Sequence, residues 1–265
     1  MKGQARTNLR FALPSALGAQ AQDRVAPLQA HLAASLGRET EVVVSPTYEQ
    51  LARELLSGKV DAAWAPPFVC ARIEAMGVRV LVRGVRAGAS VYRAALLTKR
   101  DSTLTVKTLA GARAAWTDRD SVGGYLLPMA WLRDQGVDPG KAFADQTFAG
   151  SYRAALEAVL NGEAEVTSVF ARAGQTGVTG VEEVWPGQES EFRVLGLTDE
   201  APNDGVAVSM SANAQLVSDL EKTLLTLQQS EAGAQLLSNC FHADRFELAP
   251  RMGYRALYRV ALASL

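Results

Sequence analysis

Apolar positions along the chain fall into short blocks whose spacing switches between the two-residue period of a strand and the 3.6-residue period of a helix. Residues 9–13 read as a first strand. Val25, Leu28, Leu32 and Leu36 then share one helical face, predicting a helix over 23–36 that Gly37 ends. A β-branched strand at 41–44, a helix at 47–57 with Leu51, Leu55 and Leu56 inward, and a strand at 60–64 complete a strand-helix-strand-helix-strand run. That alternation predicts a doubly wound α/β sheet of parallel strands.

Pro66-Pro67 interrupts the backbone, 68–76 reads as a short helix, and 78–85 as an apolar strand closed by a Gly-containing turn. A long apolar strand at 91–98 follows, after which the alternation restarts. Strands are expected at 113–117, 146–148 and 165–169, and helices at 124–135 and 152–160. Two further strands, 193–197 and 206–209, flank the turn-rich Ala201-Pro202-Asn203-Asp204-Gly205. Ser211 is the expected N-cap of a helix over 212–229, with more helix to the C-terminus. The restart predicts two α/β lobes: residues 1–88 with 206–265, and residues 89–205, joined by crossing hinge strands near 91–98 and 206–209. No sequence repeat is evident.

Composition narrows the function. The 265 residues are 48% hydrophobic and 21% charged, enough for a substantial core. With 27 basic against 28 acidic residues, the formal net charge of -1 offers no footprint for nucleic acid. The chain carries no apolar run of about 18 residues, so membrane insertion is not expected. Cys70, Cys240, His31 and His242 stand apart from any metal-ligand spacing, so neither a metal site nor a cofactor is expected. The N-terminus shows no signal-peptide pattern. The chain is therefore cytoplasmic as written, or extracytoplasmic if a leader preceded it.

Three places carry candidate chemistry. Asp118-Arg119-Asp120-Ser121-Val122-Gly123-Gly124-Tyr125 lies between a strand and a helix, where unpaired N–H groups and the helix dipole seat an oxyanion. Plain N-capping by Asp120 or Ser121 is the structural alternative. Pro202-Asn203-Asp204 either meets a ligand or only shapes its turn. Tyr48, Tyr92 and Tyr152 each stand near the start of an element, where a ring can line a cleft and donate a hydrogen bond.

Taken in order, these segments resemble the phosphate/phosphite/phosphonate-binding proteins of ABC importers, a branch of the type II periplasmic binding proteins. The resemblance rests on Thr47-Tyr48-Glu49-Gln50-Leu51, Gly58-Lys59-Val60-Asp61-Ala62-Ala63-Trp64-Ala65-Pro66-Pro67, Tyr92 with Lys99-Arg100-Asp101-Ser102, Gly124-Tyr125-Leu126-Leu127-Pro128, Phe148-Ala149-Gly150-Ser151-Tyr152 and Pro202-Asn203-Asp204. It implies two lobes closing on a small oxyanion or phosphonate, an ABC permease as partner, a monomer and no cofactor. It also implies ligand contacts from Tyr48, Tyr92, Ser121 and Asp204; Val122, Gly123 and Gly124 of the helix start and Tyr152 complete the candidate ligand-binding set. Where the family commonly shows Ser-Thr-Ser-Gly-Tyr, this chain has Ser121-Val122-Gly123-Gly124-Tyr125, two hydroxyls fewer. Tyr152 stands where the family has a histidine.

Two other functions compete: a ligand sensor on the same fold that signals to a partner protein, and an enzyme. Against the enzyme, the chain lacks a nucleophile with an adjacent base, a phosphate-binding loop and a dinucleotide fingerprint.

Overall fold

The computed structural model describes residues 8–14, 21–172, 179–255 and 257–258. By its internal packing the chain divides into two units, one built from the residues up to Ser90 together with Pro202–Tyr258, the other from Val91–Ala201.

Unit 1 is organised on one six-stranded sheet. Its strands are β1 (Leu9–Pro14), β2 (Thr40–Ser45), β3 (Ala62–Ala65), β4 (Arg79–Val85), β11 (Gly205–Val208) and β12 (Arg245–Leu248), in the order β12-β4-β11-β3-β1-β2. Strands β2 and β3 run parallel to β1, as the helical crossovers α1 (Ala21–Leu36) and α2 (Tyr48–Leu56) require. The sheet is nonetheless mixed, not all parallel: β11 is antiparallel to both β3 and β4, and β12 to β4. Strand β11 arrives from unit 2 and so enters this sheet without a crossover helix. Helices α3 (Pro67–Glu74), α8 (Ala214–Leu225) and α9 (Glu231–Leu236) complete the unit. Phe11, Leu28, Leu32, Trp64, Leu220, Leu224, Phe241 and Phe246 share its core, with edge-to-face contacts from Phe241 to Phe11, Trp64 and Phe246.

Unit 2 has β5 (Val91–Lys99) at its centre, antiparallel to β8 (Thr167–Arg172) and β9 (Phe192–Leu197), with the two-residue β10 (Ala201–Pro202) in the same sheet. Strand alternation sends Ala95 and Leu97 into a core with Leu156, Val159 and Phe192, and Leu96 into another with Trp116, Met129 and Leu132. Strands β6 (Arg113–Trp116) and β7 (Asp145–Phe148) pair in parallel, and a parallel bridge joins Ala114 to Val166. Helices α4 (Leu127–Asp134), α5 (Pro139–Ala142), α6 (Tyr152–Leu160) and α7 (Thr179–Val184) surround them.

Three elements differ from the sequence expectation. The helix expected at 124–135 opens with a wide π turn, Val122–Leu126, before α4. The helix expected from Ser211 is capped by Asn213 instead, whose side chain accepts from Leu216 N; Ser211 is engaged with Ser209. Helix does not fill the rest of the chain, because Phe246 and its neighbours pair with β4 as β12 and bury the aromatic ring in the core.

A repeat also emerges that sequence alone did not show. Helices α2 and α6 are both nine residues long, each opening on tyrosine after a hydroxyl N-cap, Thr47 or Ser151. Each ends in a left-handed glycine, Gly58 or Gly162, with matching bonds: Lys59 N to Glu54 O at 2.9 Å, Glu163 N to Ala158 O at 2.9 Å. A carboxylate then reaches back to a backbone N–H on the neighbouring strand. Asp61 Oδ2 accepts from Arg10 N at 2.8 Å, and Glu165 Oε2 from Arg113 N at 2.7 Å. The shared strand order, β3-β1-β2 and Val166-β6-β7, follows.

Two outcomes are expected. Asp61 is buried, so Asp61→Ala strands the Arg10 N–H and lowers unfolding free energy by about 1–3 kcal/mol in a denaturant titration. Glu165 is different, because the Arg113 guanidinium holds its carboxyl below the ordinary 4.5. Its stabilisation is full above the unfolded value and drains as pH falls through the lower folded one. Glu165→Gln therefore lowers Tm at neutral pH, and the gap to wild type closes as pH falls below the ordinary carboxylate range. A gap that does not change with pH would refute the ionic role.

Candidate ligand site

The chain enters the first turn of the 122–134 helix through an exposed loop. Asp118 Oδ1 accepts from Asp120 N at 2.8 Å, and the Arg119 guanidinium lies over the Phe148 ring at 4.6 Å. Ser121 is the cap: extended at φ -74 and ψ 114, it places Oγ 3.1 Å from Gly124 N. The first turn is a π turn, its carbonyl at Ser121 bonded by Leu126 N at 3.0 Å. Such a start directs N–H groups outward with the positive end of the helix dipole behind them.

Six of the eight sequence-predicted residues meet around this turn. Tyr92 comes from the start of β5, Tyr152 from the first position of α6, and Ser121, Val122, Gly123 and Gly124 from the turn itself. Gly123 is the point of convergence. A Cβ there would lie 2.9 Å from the Tyr152 hydroxyl, 3.2 Å from Tyr92 Cε2 and 3.6 Å from Phe170 Cα. Ser168 Oγ donates to Gly123 O at 3.1 Å and fixes the turn from below, while Phe170 meets the Tyr152 ring edge to face at 5.5 Å. The glycine is needed because two rings and a strand occupy the space of its missing side chain.

Sequence reasoning overlooked Thr117. Its hydroxyl is buried with no hydrogen-bond partner among the described residues, and it fills the place where a Cβ on Gly124 would be. Nothing in a lone threonine after a strand signals this role; only the fold brings it against the helix start.

The other two predicted residues belong to unit 1. Tyr48 opens α2 and is thereby the counterpart of Tyr152 in the repeat. Asp204 is engaged with Arg86, whose Nη2 stands 2.6 Å from Oδ2. Its neighbour Asn203 is structural: the side chain donates to Gly84 O and Ala89 O at 3.0 Å, and the carbonyl accepts from buried Tyr254 Oη at 2.7 Å. Arg153 and Arg172 are likewise committed. Arg153 bonds Glu157 and lies over Trp185, and Arg172 pairs with Glu183 at 2.6 Å.

Unit 1 also carries a groove of about 500 Å³ lined by Asp23, Arg24, Asn239, Cys240 and His242, among others. Arg24 Nη1 stands 3.2 Å from His242 Nε2. Burial, then the charges of Arg24 and Arg86, push the histidine below its ordinary value. Burial raises the Cys240 thiol to about 11. Neutral imidazole and protonated thiol are thus the forms present near pH 7, and the thiol is no nucleophile. Among the described residues no group of His, Cys, Asp and Glu is arranged to hold a metal ion.

Two α/β units on a shared strand-helix plan, the chain leaving the first for the second and then returning to it, are the architecture of the type II periplasmic binding proteins. The structure of the Xanthomonas citri protein XAC2383 bound to ATP is similar with a TM-score of 0.82 at 19% identity, covering 98% of this chain and 97% of that one. The structure of PhnD1 from Prochlorococcus marinus in complex with methylphosphonate is similar with a TM-score of 0.76 at 16% identity, covering 98% and 99%. Residues 11–254 match the phosphonate-binding family described as "ABC transporter, phosphonate, periplasmic substrate-binding protein". The chain belongs to this family. Among curated proteins it is similar to the phosphate-import protein PhnD of Mycolicibacterium smegmatis, 26% identical over 156 residues. That match takes in 54% of this chain and spans about half, 49%, of the relative's length.

The turn's tight packing makes a direct prediction. In Gly124→Ala the new Cβ would collide with Thr117 Oγ1 and lie 2.7 Å from Ser121 Oγ, so the cap must open. Overpacking of this kind costs about 1–3 kcal/mol, read as a lower unfolding midpoint. Gly150→Ala, with nothing within 4 Å but a φ of +82°, should lose less, by backbone strain alone.

Proposed function

We propose that this protein captures a small tetrahedral oxyanion, a phosphonate, phosphate or phosphite, and hands it to an ABC permease outside the cytoplasm. Capture is reversible binding without chemistry. The observation that carries the reading is the convergence of Tyr92, Ser121 and Tyr152 on the bare turn at Gly123, in a chain whose residues 11–254 match the phosphonate-binding family.

Within unit 2 the roles are distinct. The first-turn backbone and Ser121 supply donors to an acceptor-rich ligand, and the helix dipole favours its negative charge. The rings of Tyr92 and Tyr152 wall the site and bring phenol hydroxyls to it. In unit 1, Tyr48 is the counterpart of Tyr152 in the repeat, and Asp204 is paired with Arg86 and so is no bare carboxylate; these two are the residues of that unit expected at a ligand. No helix among the described residues is long and apolar enough to cross a membrane, and delivery is assigned to the separate permease.

The test is a melting-temperature and calorimetric screen against methylphosphonate, phosphate, phosphite and sulfate. A ligand that binds only the native state stabilises it by RT ln(1 + [L]/Kd). One phosphorus oxyanion is expected to raise Tm, bind one to one and be recovered unchanged. Ser121→Ala should weaken that binding about tenfold or more, since a hydrogen bond to a charged group contributes about 1.5–3 kcal/mol. No shift with any oxyanion would overturn the reading.

A further inference from the structure

We infer that Gly123 and Tyr152 act as one specificity element, in which the absent side chain at 123 admits the Tyr152 hydroxyl to the helix start, where it donates to the ligand's oxyanion beside Ser121. The inference rests on the oxyanion-capture reading above and assigns the chemistry of one part of that site.

The geometry carries it. An ideal Cβ at 123 would lie 2.9 Å from Tyr152 Oη, closer than real Cβ contacts allow, so any other residue at 123 displaces the phenol or is displaced by it. The tyrosine cannot retreat freely. Its ring meets Phe170 edge to face at 5.5 Å, and its Cα is fixed at the first position of α6 behind the Ser151 cap, whose Oγ accepts from Ala154 N at 3.1 Å. On the opposite side Tyr92 Cε2 would stand 3.2 Å from the same Cβ, and Ser168 holds the Gly123 carbonyl. The hydroxyl is thus delivered by a rigid lever to a rigid turn.

A second observation points to a ligand at the same place. Thr117 is nine-tenths buried, its Oγ1 has no partner among the described residues, and it lies against Gly124 in the same turn. A buried hydroxyl without a partner is unfavourable, and a bound group that supplies the missing bond is one way its presence is explained. The 122–134 helix is long enough for its start to act as an anion seat, with π turn and α4 continuous through the Leu127 N to Val122 O bond.

The test uses the full-length protein and four forms: wild type, Tyr152→Phe, Gly123→Ser and the double variant. Methylphosphonate and phosphate are the probes, with affinity by calorimetry and folding by Tm without ligand. Tyr152→Phe should lose about ten- to hundredfold in affinity with little change in Tm, because only an oxygen is removed. Gly123→Ser should lose a similar factor, because its Cβ evicts the phenol. The double variant should bind at least as well as either single one, since deleting Oη clears the 2.9 Å contact and the introduced serine brings its own hydroxyl. Wild-type affinity in Tyr152→Phe, or losses that simply multiply in the double variant, overturns this inference and leaves oxyanion capture standing. Failure of the wild type to bind either probe overturns both.

Discussion

The fold turns on a carboxylate that reaches backwards. After each nine-residue helix the chain reverses through a left-handed glycine, and the side chain three residues on accepts the N–H of a residue on the neighbouring strand: Asp61 from Arg10, Glu165 from Arg113. The arginines bind the same segments from the other direction, Arg10 to Lys59 O at 3.3 Å and Arg113 to Gly162 O at 2.8 Å. Each clamp sets the register in which the next strand meets β1 or β6. A slip of one residue would turn Ala62 and Trp64, or Val166, away from their cores. Because the clamp fixes where the strand begins, it also fixes where the preceding helix starts, and with it the place of Tyr48 or Tyr152.

The two copies of this plan have diverged where their surroundings differ. In α2 the buried Glu54 is bonded by Ser45, Gln50 and Lys59; burial would raise its carboxyl, but these three outweigh it and hold it low. The matching position in α6 is Ala158, packed against the unit 2 core. What is retained is the frame: hydroxyl cap, tyrosine, apolar face, glycine, carboxylate. A tyrosine at the first position of a capped helix has its backbone set by the cap, and in α6 its ring packs against Phe170 and the unit 2 core.

Much of this is legible in the chain. The apolar period locates most strands and helices because each element buries one continuous face, and Tyr152–Leu160 reads to the residue because cap, face and glycine all agree there. The helix at 124–135 is misjudged at its start, since two glycines are poor helix formers and give no sign that a π turn extends the helix back to Ser121. The cap at 213 escapes notice because Ser211, an equally good capping residue, lies two positions away and is engaged by Ser209. The repeat stays hidden because a frame of five residue types is diluted by substitutions such as Leu51 for Ala155. At the site, the sequence offers Ser121 and the three tyrosines as polar groups near element starts. It carries no account of Thr117, Ser168 or Phe170, which matter only through the packing of β6, β8 and the turn. Asp204 reads as a lone carboxylate, and its pairing with Arg86, 118 residues away, is a property of the folded unit alone.

The constellation in unit 2 also differs from a charge-driven anion site. Arg119 lies over Phe148, Arg153 over Trp185, and Arg172 is paired with Glu183, so the arginines nearest in sequence to the site residues have other partners. In the proposed reading, recognition there falls to backbone N–H groups and hydroxyls. Such donors are fixed by the fold and need no cation to be stripped of water before binding, a step that offsets much of the attraction in a buried ion pair. Hydroxyls also accept as well as donate, whereas a guanidinium only donates. A site made of Ser121, Tyr92 and Tyr152 can therefore match an oxyanion in either of two protonation states, donating to its bare oxygens and accepting from a protonated one. On that proposal selectivity resides in the fit of the tetrahedral group against the turn, whose close packing depends on the missing side chain at Gly123.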